Sequence, residues 1–256
     1  MKGLIRSELE RIISRPKTKI TFILLILITI LWGKLMGGWN VGFYDQNNTT
    51  TLNSLNFSMF ILRDIHLPLM FIILPMLYGD ALSEEKVTGC YRNIAIKPYK
   101  RWEFIASKLI SQIIVTFIII SSLFIIASIC GSFFVQRVEY TTFMNQKEIF
   151  YFKDALIYGI KFYFMEFVII LALLSVMSMV ASIIPNTILC ILGSIGIFFG
   201  GIYVSDNFIF FLSSTENIFK MLNGMASNNI YIILFSTILI PTVISIFLWM
   251  KKDWLF

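Results

Sequence analysis

The sequence predicts an all-α integral membrane protein that forms a single domain over residues 1–256, with six transmembrane helices. Only 14% of its residues are charged and its mean hydropathy is +0.82, far outside the composition of soluble domains. Six apolar runs each reach the length of about 20 residues that a helix needs to cross a bilayer. The basic residues collect in alternate loops, as in multi-pass proteins.

The predicted spans alternate with four loops and one tight turn. The spans cover residues 19–37, 60–82, 105–134, 156–184, 187–205 and 229–250. Pro185 and Asn186 alone separate the fourth span from the fifth, which predicts a helix-breaking turn. Pro68 and Pro75 predict a kink in the second span, because proline removes backbone hydrogen bonds.

Positive charge predicts the orientation. Basic residues that fall on one face of a six-span topology are Lys2, Arg6, Arg11, Arg15, Lys17, Lys19, Lys86, Arg92, Lys97, Lys100, Arg101, Lys108, Lys251 and Lys252. The opposite face carries fewer, namely Arg63, Arg137, Lys147, Lys153 and Lys220. Because Lys and Arg concentrate on the cytoplasmic side, both termini are expected in the cytoplasm.

Residues 1–17 predict a short amphipathic helix that lies in the membrane surface. Its apolar side chains recur at helical spacing: Leu4, Ile5, Leu9, Ile12 and Ile13. Basic and polar residues take the other side, and Pro16 lets the chain turn into the bilayer. An ordinary basic flank with no helix is the alternative.

The most polar stretch of the chain is the loop at residues 83–104, between the second and third spans. Ser83 can cap a helix that carries Glu84 and Glu85 in its first turn, as the helix dipole favours, and Gly89 can end that helix. A loop whose charges only enforce topology is the alternative. However, topology requires Lys and Arg and does not require this order of Glu and Gly.

This loop resembles the corresponding loop of ABC-2 type transporter permeases. The pattern is Glu-Lys-x-x-Gly, then Pro-x-x-Arg, then a Lys that opens the next span, and here it consists of Glu85, Lys86, Gly89, Pro98, Arg101 and Lys108. In that family the loop forms a coupling helix that sits in a groove of the ATP-hydrolysing subunit. The resemblance implies an ATPase-coupling role for Glu84, Glu85, Lys86, Gly89, Arg92, Pro98 and Arg101. Lys108 is expected to snorkel at the interface.

The resemblance extends over the whole chain. It includes the N-terminal elbow helix, the six spans and the basic ending "FLWMKKDWLF", and residues 206–228 resemble the small outer re-entrant helices of the family. It implies a permease in the bacterial plasma membrane that works with ABC ATPase subunits and a second permease copy or a related permease. ATP and Mg would then bind to the ATPase, and this chain would hold no cofactor. Its other expected partner is membrane lipid, and no nucleic acid is expected.

The expected cargo is amphipathic or apolar, because Phe, Met and Ile dominate the spans. Small permeases of this kind resemble those that export, or give immunity to, membrane-active peptides such as lantibiotics and phenol-soluble modulins. A peptide is therefore the first choice. A deep polar cluster would favour ions or sugars, and the sequence predicts none.

The chain is predicted not to be an enzyme. Intramembrane prenyl-endopeptidase-like proteases carry Glu-Glu-x-x-x-Arg and two further His, whereas here Gly89 follows Glu84 and Glu85 at that spacing and His66 is the single histidine. No Gly-x-x-x-x-Gly-Lys-Ser/Thr motif occurs, so ATP must bind another chain. The scattered cysteines predict no metal site.

Ionisable residues within apolar runs are functional candidates by default. Glu166, Lys161 and His66 are the candidates for a substrate path. For Glu166 the alternative is a packing pair with a polar partner on another span. Gly193, Gly196 and Gly200 predict a close helix contact, in the same chain or with a second subunit. An ATP-independent secondary carrier that relies on Glu166 and His66, or a scaffold that recruits a partner to the loop 83–104, is the alternative function.

Overall fold

The computed structural model describes residues 1–45, 48–87, 100–144, 148–184 and 186–251, apart from the side chains of residues 84–87. The described residues form nine α-helices: α1 (Lys2–Ser14), α2 (Pro16–Trp39), α3 (Phe57–Pro68), α4 (Leu74–Val87), α5 (Arg101–Phe134), α6 (Phe152–Ile183), α7 (Thr187–Val204), α8 (Ser214–Leu222) and α9 (Asn228–Lys251). A π-helical turn at Leu69–Ile73 joins α3 to α4, and a 3₁₀ helix at Asp206–Phe211 precedes α8.

Six helical stretches in the described part of the chain are long and apolar enough to cross a membrane. They are Pro16–Trp39, Phe57–Ser83, Arg101–Phe134, Phe152–Ile183, Thr187–Val204 and Asn228–Lys251. Each overlaps one predicted span, so the described helices are compatible with the predicted all-α multi-pass membrane protein. Several helices extend beyond the predicted apolar runs, because polar first turns such as that of α5 continue the helix outside the hydrocarbon.

Helix α6 is the centre of the bundle. In its most apolar window 72% of the residues are buried, against 22% in α2 and 17% in both α7 and α9. α6 packs against α4, α5, α7, α8 and α9. The outer helices therefore present most of their apolar surface away from the protein, as lipid-facing helices do.

The second span is irregular where the prolines predicted a kink. α3 ends at Pro68, the next five residues form the π-helical turn, and α4 begins at Leu74 with Pro75 in its first turn. Proline lacks the donor that a regular helix needs in its interior, whereas a first turn tolerates it. π-helical turns often mark functional sites, so this span is suited to bending.

Two short antiparallel hairpins occupy loops for which the sequence predicted no strands. β1 (Val41–Phe43) pairs with β2 (Thr49–Thr51), and β3 (Tyr140–Thr141) pairs with β4 (Phe150–Tyr151). These segments are rich in Thr and aromatic residues, which favour strands. Tyr44 joins the hairpins, because its hydroxyl donates to the Thr142 carbonyl at 3.3 Å, and burial raises the pKa of Tyr44 to about 12.

The segment between the last two spans folds inward. Phe211 of the 3₁₀ helix and Phe219 of α8 are each 0% exposed, and the Phe219 ring lies 4.6 Å from that of Phe162 in α6. The small helices that the resemblance implies in residues 206–228 are therefore present, and they pack against the bundle. Their re-entrant position in a membrane stays a prediction.

Candidate functional site

The N-terminal helix α1 packs on the start of α5 through the apolar side that the sequence predicts. Leu4 and Ile12 are buried, and the Ser111 hydroxyl of α5 donates to the Ile5 carbonyl at 3.3 Å. α1 ends before Arg15, whose extended backbone precedes Pro16 at the start of α2, as expected for a residue before proline. A helix is present where the sequence predicts one, whereas its position on the membrane surface and the turn into the bilayer stay predictions.

Lys108 lies inside this contact rather than at the lipid interface. It is 3% exposed, its ammonium donates to the Ala81 carbonyl of α4 at 3.1 Å, and it lies 3.8 Å from the Glu8 carboxylate of α1. Arg11 pairs with the same carboxylate. The predicted snorkelling is wrong, because Lys108 faces α1 and α4. We call Glu8, Ala81 and Lys108 the α1–α4–α5 junction.

Helix α4 runs unbroken to Val87, which overturns the predicted capping role of Ser83. Ser83 lies inside α4 and its buried hydroxyl has no hydrogen-bond partner among the described residues. Helix-forming residues such as Ala, Leu, Glu and Lys continue the span here instead of starting a new helix. The backbone of Glu84, Glu85 and Lys86 therefore belongs to the last turns of α4. Gly89, Arg92 and Pro98 lie outside the described residues.

Arg101 begins α5 at the other end of the loop. The carboxylate of Glu103 accepts the backbone N–H of Lys100 at 2.9 Å, which caps the helix start. The exposed Arg101 donates to the Met250 carbonyl at 3.4 Å. The end of the loop 83–104 therefore contacts the last turn of α9.

A second polar site lies between α3, α6 and α8. His66 is 1% exposed and Glu166 is 0% exposed, with His66 Nδ1 2.6 Å from Glu166 Oε1. The Ser214 hydroxyl donates to Glu166 Oε2 at 3.1 Å and lies 3.0 Å from His66 Nδ1. His66 Nε2 lies 2.9 Å from the Phe211 carbonyl. We call this group the His66–Glu166–Ser214 cluster.

Donor and acceptor chemistry determines how many protons the His66–Glu166 pair holds. The Phe211 carbonyl can only accept, so His66 Nε2 carries a hydrogen. A second proton must then lie between Nδ1 and Oε1, either on His66 beside an ionised Glu166 or on Glu166 beside a neutral His66. Without it, a ring lone pair would face a carboxylate at hydrogen-bond distance. The pair has no net charge in either form, which explains how it tolerates full burial.

The structure thus brings together two of the three substrate-path candidates. The prediction of no deep polar cluster is wrong, because His66, Glu166 and Ser214 are buried together. Sequence analysis missed the cluster because His66 and Glu166 are 100 positions apart and nothing local indicates that they meet. Ser214 was missed, since a serine in a polar segment resembles an ordinary loop residue. Glu166 has the polar partner on another span that sequence analysis left open, and its role in a substrate path stays a prediction.

Lys161 lies apart from this cluster. It is exposed and lines a surface depression with Glu148 and Asp154. Lys161 and Glu166 are five residues apart on α6, so their side chains point about 140° apart around the helix. One therefore faces outward while the other faces the core.

The three glycines of α7 fall into two environments. A Cβ at Gly193 would meet Val180 Cγ1 of α6 at 3.1 Å, whereas Gly196 and Gly200 have nothing within 4 Å of that position. Gly193 therefore allows a close contact within this chain. Gly196 and Gly200 are exposed and form an open strip on α7.

These sites lie in a helical bundle whose described residues include six helices that are long and apolar enough to cross a membrane, as in a multi-pass membrane protein. One set of contacts ties the N-terminal helix to the ends of α4 and α5, and another ties the segment between the last two spans to α3 and α6. No protein-family model matches the chain, and no curated protein matches it.

Proposed function

We propose that this chain is the membrane-spanning subunit of an ATP-driven exporter, similar to the ABC-2 type permeases, in the bacterial plasma membrane. The observation that carries the proposal is the α1–α4–α5 junction. Both helices that flank the loop 83–104 are bonded there to each other, and Lys108 also lies beside Glu8 of the amphipathic N-terminal helix. If a partner subunit moves the loop 83–104, these contacts pass the movement to both flanking helices together.

In this proposal the partner ATPase binds ATP and Mg and pushes on the loop 83–104. The push moves α4 and α5 together, because Lys108 of α5 is bonded to Ala81 of α4. α5 is one helix of 34 residues, about 50 Å long at about 1.5 Å per residue. It therefore transmits a displacement from the loop to the far end of the bundle.

The segment at residues 206–222 acts as the closure at that far end. The Phe211 carbonyl and the Ser214 hydroxyl hold it to His66 and Glu166. His66 is three residues before the π-helical turn, so bending of the second span moves His66 relative to Glu166. The path opens when these hydrogen bonds part and closes when they form again.

The open strip of Gly196 and Gly200 supports a pairing with a second permease copy or a related permease. Glycines let helices approach closely within a membrane, and six spans from each chain would enclose one central path. The cargo we propose is an amphipathic or apolar molecule, with a membrane-active peptide as the first choice. The sequence resemblance and the apolar composition of the spans support this choice.

The deciding experiment is a pull-down of the tagged protein from mild detergent, with bound proteins identified by mass spectrometry. An ABC ATPase should accompany the wild type and be lost from Glu85→Arg, which reverses a charge in the loop. Lys161→Glu reverses an exposed charge on α6 and should retain the ATPase. Absence of any ATPase from folded wild type would contradict the proposal.

The His66–Glu166–Ser214 cluster favours one second candidate, a proton-coupled secondary carrier. A buried pair that shares one proton could release it when the site opens. Transport by such a carrier should be abolished in Glu166→Gln, whose amide cannot hold and release that proton. The exporter predicts instead that Glu166→Gln still binds the ATPase and still transports when ATP is supplied.

A further inference from the structure

A cavity of about 500 Å³ lies between the start of α3, the last turns of α5 and the first turn of α6, at the end of the bundle that carries the two hairpins. Its inner end is closed by the Phe124 ring of α5, which lies 4.9 Å from the Tyr163 ring of α6. Its rim is open, since Ile125, Ile129 and Phe152 are between 51% and 66% exposed. The cavity therefore opens sideways, away from the core of the bundle.

The wall of this cavity is polar toward the end of α5. Ser128 and Ser132 line it and are four residues apart, so they lie on the same side of that helix. Arg137 lines it as well, and its Nε donates to the Ser132 carbonyl at 3.4 Å. Ser54, before α3, is held at the same rim, because its backbone N–H donates to the Gln136 carbonyl at 3.1 Å. Hydroxyls and a guanidinium therefore share one end of the cavity.

Three donors of this wall can bind a ligand. Arg137 is exposed and forms no ion pair with the part of the chain that the structure describes. Ser58 of α3 lines the cavity and is 5% exposed, and within the described ranges its hydroxyl has no hydrogen-bond partner. The same is true of the half-buried Ser128 hydroxyl on the facing helix. A buried hydroxyl without a partner costs free energy, so a ligand that offers acceptor oxygens is favoured here.

We infer that this cavity binds a phospholipid of the surrounding bilayer, with its phosphate at Arg137 and its ester carbonyls at the hydroxyls of Ser58 and Ser128. Its acyl chain lies against Phe124. The planar guanidinium of arginine suits phosphate oxygens, and hydroxyls donate to carbonyl oxygens. From Ser132 to Phe124 the helix rises about 12 Å, and over that length the wall changes from polar to apolar, which is the order of these groups in a phospholipid.

The position of the cavity favours a lipid over a water-soluble ligand. Its exposed rim belongs to α5 and α6, two of the helices that are long and apolar enough to cross a membrane, so the opening faces the bilayer. α5 ends at Phe134 and Arg137 follows three residues later, at the level where hydrocarbon gives way to headgroups. This inference rests on the cavity alone and holds whether or not the chain works with an ATPase.

Native mass spectrometry of the detergent-purified protein tests the site, by titration with phosphatidylglycerol and with diacylglycerol of the same acyl chains, which lacks the phosphate. We expect phosphatidylglycerol to bind more tightly, and we expect Arg137→Gln to weaken its binding by about fivefold without changing that of diacylglycerol. Lys153→Gln removes an exposed charge at the same end of the bundle, outside the cavity wall, and should change neither. Ser128→Leu fills the cavity and should weaken binding of both lipids, whereas Ser121→Leu, two turns further in on the same side of α5, should not.

Three results would each overturn the inference. Equal binding of phosphatidylglycerol by Arg137→Gln and Lys153→Gln would mean that Arg137 holds no phosphate. Unchanged lipid binding by Ser128→Leu would mean that lipid coats the bundle without entering the cavity. A peptide mass that is bound to the wild type and lost from Ser128→Leu would assign the cavity to a peptide. A thermal unfolding curve that matches the wild type establishes that each variant is folded, and the exposed change Arg137→Gln tests the phosphate contact without altering the cavity interior.

Discussion

The α1–α4–α5 junction and the His66–Glu166–Ser214 cluster both bury ionisable groups, but they do so differently. At the junction Lys108 lies 3.8 Å from Glu8, and the Glu8 side chain is 13% exposed. In the cluster His66 and Glu166 are 2.6 Å apart and at most 1% exposed. The junction connects an amphipathic helix at the edge of the bundle, whereas the cluster lies between spans in the core.

This difference suggests different tasks. A contact between a flexible lysine and a partly exposed carboxylate adapts to small shifts of the helices, because water can reach the Glu8 carboxylate when Lys108 moves away from it. The His66–Glu166 pair is enclosed and water cannot reach it. When the two groups separate inside the protein, the free-energy cost of their desolvation is therefore no longer offset by their interaction. The junction is therefore suited to transmit movement, and the cluster is suited to hold one closed conformation.

The largest effect is expected when the cluster loses its carboxylate. Glu166→Ala leaves His66 buried without its partner and should lower the free energy of unfolding by about 3–5 kcal/mol. Unfolding in mixed detergent micelles measures this loss. Lys161→Ala, an exposed change on the same helix, should stay within about 0.5 kcal/mol. If both variants lose the same small amount, the cluster does not hold the bundle together.

Breaking the junction should have the next largest effect. Lys108→Met removes the donor to the Ala81 carbonyl and should cost about 1.5–3 kcal/mol, the range for hydrogen bonds of charged groups. It should also loosen α1, which faster tryptic cleavage within that helix would reveal. Lys34→Met is the matched control. Unchanged cleavage would show that Lys108 does not fasten α1.

A smaller loss is expected from Ser214→Ala. The variant removes one donor to Glu166 Oε2 but keeps the His66–Glu166 pair, so about 1.5 kcal/mol should be lost. Among the described residues Ser236 bonds only within its own helix, to the Ile233 carbonyl, and Ser236→Ala should be nearly neutral. Equal effects of the two changes would remove Ser214 from the cluster.

The smallest effect concerns Tyr44 in the hairpins at high pH. Burial raises the pKa of Tyr44 to about 12, from about 10 in an unfolded chain. Its contribution to stability is therefore complete below about pH 10 and is lost as the pH rises toward about 12. At about pH 10.5 the wild type should have lost about 0.8 kcal/mol more than Tyr44→Phe. Parallel stability curves for the two proteins would contradict this assignment.

Much of the architecture could be predicted because it depends on local properties. The turn at Asn186 is one example: its side chain accepts hydrogen bonds from the backbone of Ile188 and Leu189 and begins α7. Ser83 shows where local reasoning fails, since a serine before two glutamates is typical of a helix start. Here α4 already passes through it, and a continuing helix overrides a capping signal.

Some residues of the candidate site could be predicted from the sequence, but the contacts between them could not. His66 and Glu166 were recognisable because ionisable residues are rare within apolar runs. Ser214 carries no such signal, because serine is common in polar segments. Lys108 was assigned to the wrong environment, since a lysine near the end of a span can equally well face lipid or a neighbouring helix.

The sequence by itself determined that six segments can cross a membrane, that an amphipathic helix precedes them and that the second span is irregular. Each of these depends on the apolar length, the periodicity or the proline content of one segment. Only the tertiary structure decided that His66 meets Glu166 and Ser214, and that Lys108 joins α4 and lies beside α1. Such contacts depend on how helices distant in the sequence pack and rotate against each other, which no single segment encodes.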